Sequence, residues 1–272
     1  MRIFVTGSTG ILGRHLCRIL EQRQGPDAII RSRADITDAS ALRQEVSQAG
    51  PVDIVLHLAA LVPVAEVQGD PDKAYDVNVG GTLRLLDAFA GQSARFVYCS
   101  TSHVYTSSAD PIAETAPTRP VSLYGHTKWI AEIAAREMAA AYGIALCIPR
   151  VFSFHDPAQT GSFLRPNIER RLASEDLSKP FELYGALSLR DMLSAEEAAR
   201  RLALIALSGA TGPVNIGSGK GTLIKDFVQS LTPTPLNIAP MGTPDALVAD
   251  ISRLRAILGD QITDDFINAG PP

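Results

Sequence analysis

The sequence predicts an α/β protein: a doubly wound parallel sheet with a small C-terminal α/β substrate lobe. Three observations carry this. Strand-like and helix-like runs alternate through the first 150 residues, as repeated β–α units require. The opening apolar run Ile3-Phe4-Val5 passes through Gly7, Gly10 and Gly13 into a helical pattern of Leu12, Leu16, Ile19 and Leu20. Residues 52–58 form a nearly continuous apolar run, as a strand buried on both faces needs.

The elements follow in order. Residues 2–5 read as a strand and 11–24 as a helix. Residues 27–31 make a short second strand. Residues 38–49 make a helix capped by Asp38, with Leu42, Val46 and Ala49 on one side. Residues 71–91 read as one long helix carrying Val77, Leu83, Leu86 and Phe89, and 95–100 as a strand. A polar, proline-bearing loop, 107–122, precedes an alanine-rich helix over 124–142 and a strand over 144–149.

Periodicity then weakens. Helices are expected at 166–173, 194–207, 223–231 and 250–258, the last stopping at Gly259. Strands are expected at 181–184 and 214–216, and 233–240 is too proline-rich for a helix. Residues 1–150 are expected to form a dinucleotide-binding domain of Rossmann type and 151–272 the lobe. A return of residues near 186–217 to the first domain stays open. The lobe would lie over the carboxyl edge of the sheet, where open α/β sheets bind ligands.

The 272 residues are 46% hydrophobic and 20% charged, with a formal net charge of −4 and no basic run. Neither nucleic acid nor an anionic membrane is an expected partner. The chain runs straight into a strand without a signal-like segment, and its longest apolar stretch is broken by Asp53, His57 and Glu66. Cys17, Cys99 and Cys147 are far apart in sequence and lack zinc spacing. Cys99 and Cys147 lie in apolar strand-like runs and read as reduced core residues of a cytoplasmic protein, and no metal is expected.

Chemistry concentrates in three stretches. Thr6-Gly-Ser-Thr-Gly-Ile-Leu-Gly13 places a tight turn at a helix start. Unpaired N–H groups and the helix dipole favour a pyrophosphate there. Tyr124-Gly-His-Thr-Lys128 puts a phenol and an ammonium on one helix face. The positive charge is expected to lower the phenol's pKa, tuning it for proton transfer near neutral pH. Ser100-Thr101-Ser102-His103 follows a strand, at the sheet edge where catalytic side chains gather.

Together these stretches resemble extended short-chain dehydrogenases/reductases, the NAD(P)-dependent epimerase/dehydratase family that modifies nucleotide-linked sugars. The resemblance spans roughly residues 1–225 and extends to Asp35-Ile36, His57-Leu-Ala-Ala60, Asn78-Val-Gly-Gly-Thr82 and Arg190-Asp-Met-Leu193. It implies catalysis by Thr101, Tyr124 and Lys128, with His103 as a further acid or base.

It also implies cofactor contacts at Gly7, Thr9, Gly10, Ile11, Leu12 and Gly13, at Asp35 and Ile36, and at Leu58, Ala59 and Ala60. Asn78, Ser100, Tyr124 and Lys128 complete that set. Thr101, Ser102, His103 and Arg190 would meet the substrate, Arg190 gripping a diphosphate or else pairing with Asp191. Pairing of helices 81–91 and 124–142 between two copies would make a homodimer.

Two departures matter. Ser102 and His103 stand where the family's dehydratases carry Asp-Glu, which argues against plain dehydration. Ser153 replaces the usual asparagine after Arg150. Strand two ends Ile30-Arg31-Ser32-Arg33 with no acid before Asp35, and Arg31 and Arg33 suit a 2′-phosphate. NADP(H) is therefore expected over NAD(H). The expected activity is 4-keto reduction or 4-epimerisation of a nucleotide-sugar. Turnover of a non-sugar carbonyl or alcohol, and a non-catalytic NAD(P)-binding sensor, are the alternatives.

Overall fold

Buried apolar strands alternate with helices in the computed structural model of this chain, which describes residues 1–62 and 64–262. The first half holds β1 (Ile3–Thr6), α1 (Ile11–Gln24), β2 (Ile29–Arg31), α2 (Ala39–Ala49) and β3 (Ile54–His57). There follow α3 (Val64–Gly69), α4 (Pro71–Tyr75), α5 (Gly81–Ala88), β4 (Arg95–Tyr98), β5 (Ser100–Thr101), α6 (Leu123–Tyr142) and β6 (Leu146–Val151). The second half holds β7 (Ser153–His155), α7 (Leu164–Ser174), β8 (Phe181–Tyr184), β9 (Leu189–Ser194), α8 (Ala195–Leu207) and β10 (Gly212–Ile216). It closes with β11 (Gly221–Leu223), α9 (Ile224–Ser230), β12 (Ile238–Met241), β13 (Ala246–Leu247) and α10 (Ser252–Leu258).

The large sheet runs β2-β1-β3-β4-β6-β10, parallel throughout, with β5 beside the end of β6. The chain leaves β1 for β2 on one side and enters β3 on the other. That reversal opens a crevice at the carboxyl ends of β1 and β3. Leu16, Leu20, Ala198, Leu202 and Ile205 fill the core on one sheet face. Leu42, Leu85, Phe89, Ala131 and Ala135 fill the other. The lobe has its own small core of Ile168, Phe181, Leu183, Ile224 and Val228. Although late in sequence, β10 pairs with β6 and α8 packs on α1, so both belong to the sheet layers.

Several elements depart from expectation. The long helix over 71–91 is broken: residues 76–80 form a π-turn in which the Gly81 N–H reaches the Asp76 carbonyl, and α5 ends at Ala88. π-turns are local insertions that re-aim a side chain, here Asn78. Strand two starts only at Ile29, because Pro26–Ala28 form a 3₁₀ turn after Gly25 at φ +88°. The short elements α3, β5, β7, β11, β12 and β13 had no periodic signal long enough to read, and β9, six residues long, was not expected. Asp38 caps α2 as expected, accepting from the N–H groups of Ser40 and Ala41.

Candidate active site

A cleft of about 1120 Å³ lies between the carboxyl edge of the sheet and the lobe. Gly7, Thr9, Gly10, Ile11, Leu12 and Gly13 line one end, with Asp35, Ile36, Leu58, Ala59 and Ala60 beside them. Ser100, Thr101, Ser102, His103, Tyr124, Lys128 and Arg190 line the middle. Sequence-distant stretches therefore converge on one cavity.

The dinucleotide end is shaped by close backbone approach. Gly7 sits at φ +69°, and a Cβ there would stand 2.6 Å from the Ala59 nitrogen. A side chain at Gly13 would strike the Gly7 carbonyl. Gly10 is the N-cap of α1, which has neither a side-chain cap nor an acid in its first turn. The close backbone approach and the uncapped, acid-free start of α1 fit a dinucleotide pyrophosphate.

A buried hydroxyl–imidazole chain sets the same strands. The Thr82 hydroxyl donates to the Asn78 carbonyl at 2.7 Å, so it accepts from His57 Nε2–H at 3.0 Å. His57 Nδ1 then accepts from the Thr6 hydroxyl at 2.7 Å, and that oxygen accepts the Ala59 N–H. Burial pulls the His57 pKa down to about 3, keeping the ring neutral.

Asn78, expected among the cofactor contacts, is not among the cleft-lining residues. It braces the wall from behind: its Oδ1 accepts from Leu61 N at 2.7 Å, and its Nδ2 donates to the Leu61 carbonyl and the Thr127 hydroxyl. Arg31 and Arg33 also lie off the lining. Arg31 Nη2 is 2.6 Å from Glu21 Oε1. Glu45, which the sequence did not single out, accepts from Ser32 Oγ and Arg33 N and holds the turn after β2. Asp35 is held ionised below its usual range by the Thr37 N–H and hydroxyl.

At the reacting end, Val67 and Ala74 bury Tyr124 from α3 and α4. Its phenol differs from expectation: burial raises its pKa well above the usual phenol value, Cys99 adds to the rise, and a hydrogen bond with the Thr101 hydroxyl pulls against it. Lys128 is not among the groups that lower it. Its Nζ lies over the Tyr98 ring, 4.2 Å from the centroid, and burial lowers its pKa to about 8. The i,i+4 spacing does bring both side chains to the cleft, but the protonated phenol is the resting state. Such a group is a proton donor first.

His103 packs edge-on to Tyr124 with centroids 5.8 Å apart. Burial lowers its pKa and the Arg190 charge lowers it further, while Asp245 opposes both. Ser100 lines the cleft but spends its hydroxyl on Glu132 at 2.5 Å. Glu132 is buried on α6 and also accepts from Arg150 Nε and Nη2, at 3.0 and 2.7 Å. Arg190 does not pair with Asp191. It pairs with Asp245, at 2.8 and 3.0 Å, while Asp191 turns inward to accept from the backbone of Ser218, Gly219 and Ala249. Asp245 and the cleft-wall residues His155 and Arg165 lie outside the segments with a readable period, and Phe227, inside the expected helix 223–231, was not singled out as a cleft residue. Cys99, read as a core thiol, lines the cleft.

The family model described as "NAD dependent epimerase/dehydratase family" matches residues 3–217. The chain belongs to this family. A UDP-glucose 4-epimerase of Streptomyces lividans is 30% identical over 84% of this chain and 76% of its own length. A GDP-6-deoxy-D-mannose reductase of Pseudomonas aeruginosa is 29% identical over 85% of this chain and 79% of its own. The fold matches that of a Thermus thermophilus UDP-glucose 4-epimerase in complex with NAD, at TM-score 0.79 and 24% identity, covering 99% of this chain and 100% of that one. The family member described here is thus an oxidoreductase of the epimerase/dehydratase type. Among the described residues no helix is long and apolar enough to cross a membrane.

Proposed function

We propose that this protein is an NADP(H)-dependent reductase of a nucleotide-linked 4-keto sugar. The observation that carries the reading is one cleft shared by the glycine turn, Thr101, His103, Tyr124 and Lys128. Gly7, Gly13 and the start of α1 would hold the pyrophosphate, and Lys128 the hydroxyls of the nicotinamide ribose. When bound, the nicotinamide supplies the hydride. Tyr124, protonated at rest, donates its proton to the carbonyl oxygen, and Thr101 orients that oxygen. His103 shapes the same wall.

The NADP(H) preference rests on Arg31 at the carboxyl end of β2. Its exposed pair with Glu21 belongs to a class worth ~0–1 kcal/mol, so a 2′-phosphate can draw the guanidinium away. Titration with each reduced cofactor tests this. NADPH is expected to bind about tenfold tighter or more than NADH, a difference of about 1.4 kcal/mol. An NADH preference would overturn the cofactor assignment.

The relatives named as UDP-glucose 4-epimerases favour a second reading, 4-epimerisation. An epimerase returns the hydride to its substrate and retains its cofactor. Copurified NAD would support that reading over net reduction. The proposal includes a homodimer through α5 and α6, since Ile133 and Tyr142 stand exposed on α6. Light scattering should give twice the chain mass; a monomer at working concentration would contradict it.

A further inference from the structure

Between β7 and α7 the chain forms no regular element, yet Ala158, Gln159, Thr160 and Phe163 of this stretch line the cleft. Gly161, at φ +84°, bends it. Asp156 at its start carries the bonds that hold it. Its Oδ1 accepts from the Ala158 N–H at 2.7 Å, and its carbonyl accepts from the Gln159 N–H at 3.0 Å. Its Oδ2 meets His15 Nε2 of α1, 141 residues away in sequence, at 2.7 Å. Burial works against the Asp156 charge, but the Ala158 N–H, His15 and Arg14 outweigh it and hold the carboxyl below its usual range.

Geometry fixes the form of the His15 ring. Arg18 Nη2 lies 3.3 Å from His15 Nδ1, and a guanidinium only donates. Nδ1 therefore accepts, and Nε2 carries the hydrogen given to Asp156. Arg18 is held in turn by Glu196 of α8 at 2.7 Å. The bond from His15 to Asp156 is thus charge-assisted and aligned from both sides. It sits one turn along α1 from Ile11 and Leu12, which line the glycine-turn end of the cleft, as does Arg14.

Gln159 is spent on nothing inside the protein. The residue is 8% exposed and lines the cleft, but among the described residues its carboxamide has no hydrogen-bond partner. A buried amide in that position costs free energy until a ligand meets it.

We infer that the His15–Asp156 bond fastens residues 156–160 as a strap across the glycine-turn end of the cleft, that the strap unfastens each time a dinucleotide enters or leaves, and that Gln159 is its contact to the bound dinucleotide. The inference rests on the dinucleotide reading proposed above. A fastened strap leaves only a fraction of molecules open to exchange, so it slows entry and exit together.

Stopped-flow fluorescence of the full chain with NADPH, and separately with NADH, tests this by giving association and dissociation rates. His15→Ala and Asp156→Asn should each raise dissociation about tenfold or more, the scale of a lost charge-assisted bond, and raise association too. Asp156→Asn keeps the oxygen that accepts from Ala158. The double variant should match the single ones, since all three lose the same bond. His15→Gln, which offers an N–H at similar reach, should restore part of the slow exchange. Gln159→Leu should speed dissociation about threefold or more without speeding association. Unchanged dissociation in the His15 and Asp156 variants, faster dissociation without faster association in them, or additive effects in the double variant would each overturn the inference. An NADH preference would remove the cofactor assignment and leave the strap to be read with NADH. Binding of neither nucleotide would remove the dinucleotide reading and the strap with it.

Discussion

Lys128 enters the cleft as a buried cation with its pKa drawn down to about 8. Below that pH it carries charge; above it the ammonium loses its proton and, in the role proposed for it, its pull on ribose hydroxyls. Cofactor affinity should therefore be retained below about pH 8 and fall as pH rises through it. Lys128→Met should flatten that profile. A wild-type affinity that stays flat as pH rises well past that value would contradict the role given to Lys128. At this scale Thr101, Tyr124 and Lys128 were legible, because a helical spacing and a strand end place them without tertiary knowledge. The direction of the Tyr124 shift was not. Burial by Val67 and Ala74, and the placement of Lys128 over Tyr98, depend on packing that the i,i+4 rule does not describe. Asp245 was equally hidden, standing 55 residues from Arg190.

Elements are tied to the site by Glu132, one turn beyond Lys128 on α6. It anchors Ser100 on β5 and Arg150 on β6, and Arg150 Nη1 bonds the Tyr105 hydroxyl at 2.9 Å. Removing one partner of a buried pair leaves an uncompensated charge, which costs about 3–5 kcal/mol. Glu132→Gln should lower unfolding free energy on that scale in urea denaturation, and should loosen Thr101 through its neighbour Ser100. A change under about 1 kcal/mol would show the network to be slack. Long, periodic elements were legible: α6, α8 and the strands of the large sheet stand near their expected positions. Strands of two or three residues, such as β5 and β7, are defined by their pairing with β6 and β9. The break at 76–80 was hidden because Val77, Leu83 and Leu86 suit a continuous helix, while the π-turn serves Asn78's bonds to Leu61 and Thr127.

On the scale of the whole molecule, the sheet provides the glycine-turn end of the cleft at the β1–β3 crevice and the lobe closes the other end over it. Gly7, Tyr124 and Arg165 belong to separate parts of the chain yet line one cavity. In the proposed reduction, hydride and proton meet there, the hydride arriving at carbon while Tyr124 protonates oxygen. The most direct measurement follows the loss of the reduced-nicotinamide absorbance of NADPH, mixed with this protein and a panel of nucleotide-linked 4-keto sugars, for wild type and Tyr124→Phe. The account predicts oxidation of NADPH by at least one sugar and a rate about 10²–10⁴-fold lower in the variant, the range for a lost general acid, with NADPH affinity kept. Equal rates for phenylalanine and tyrosine at position 124 would contradict it.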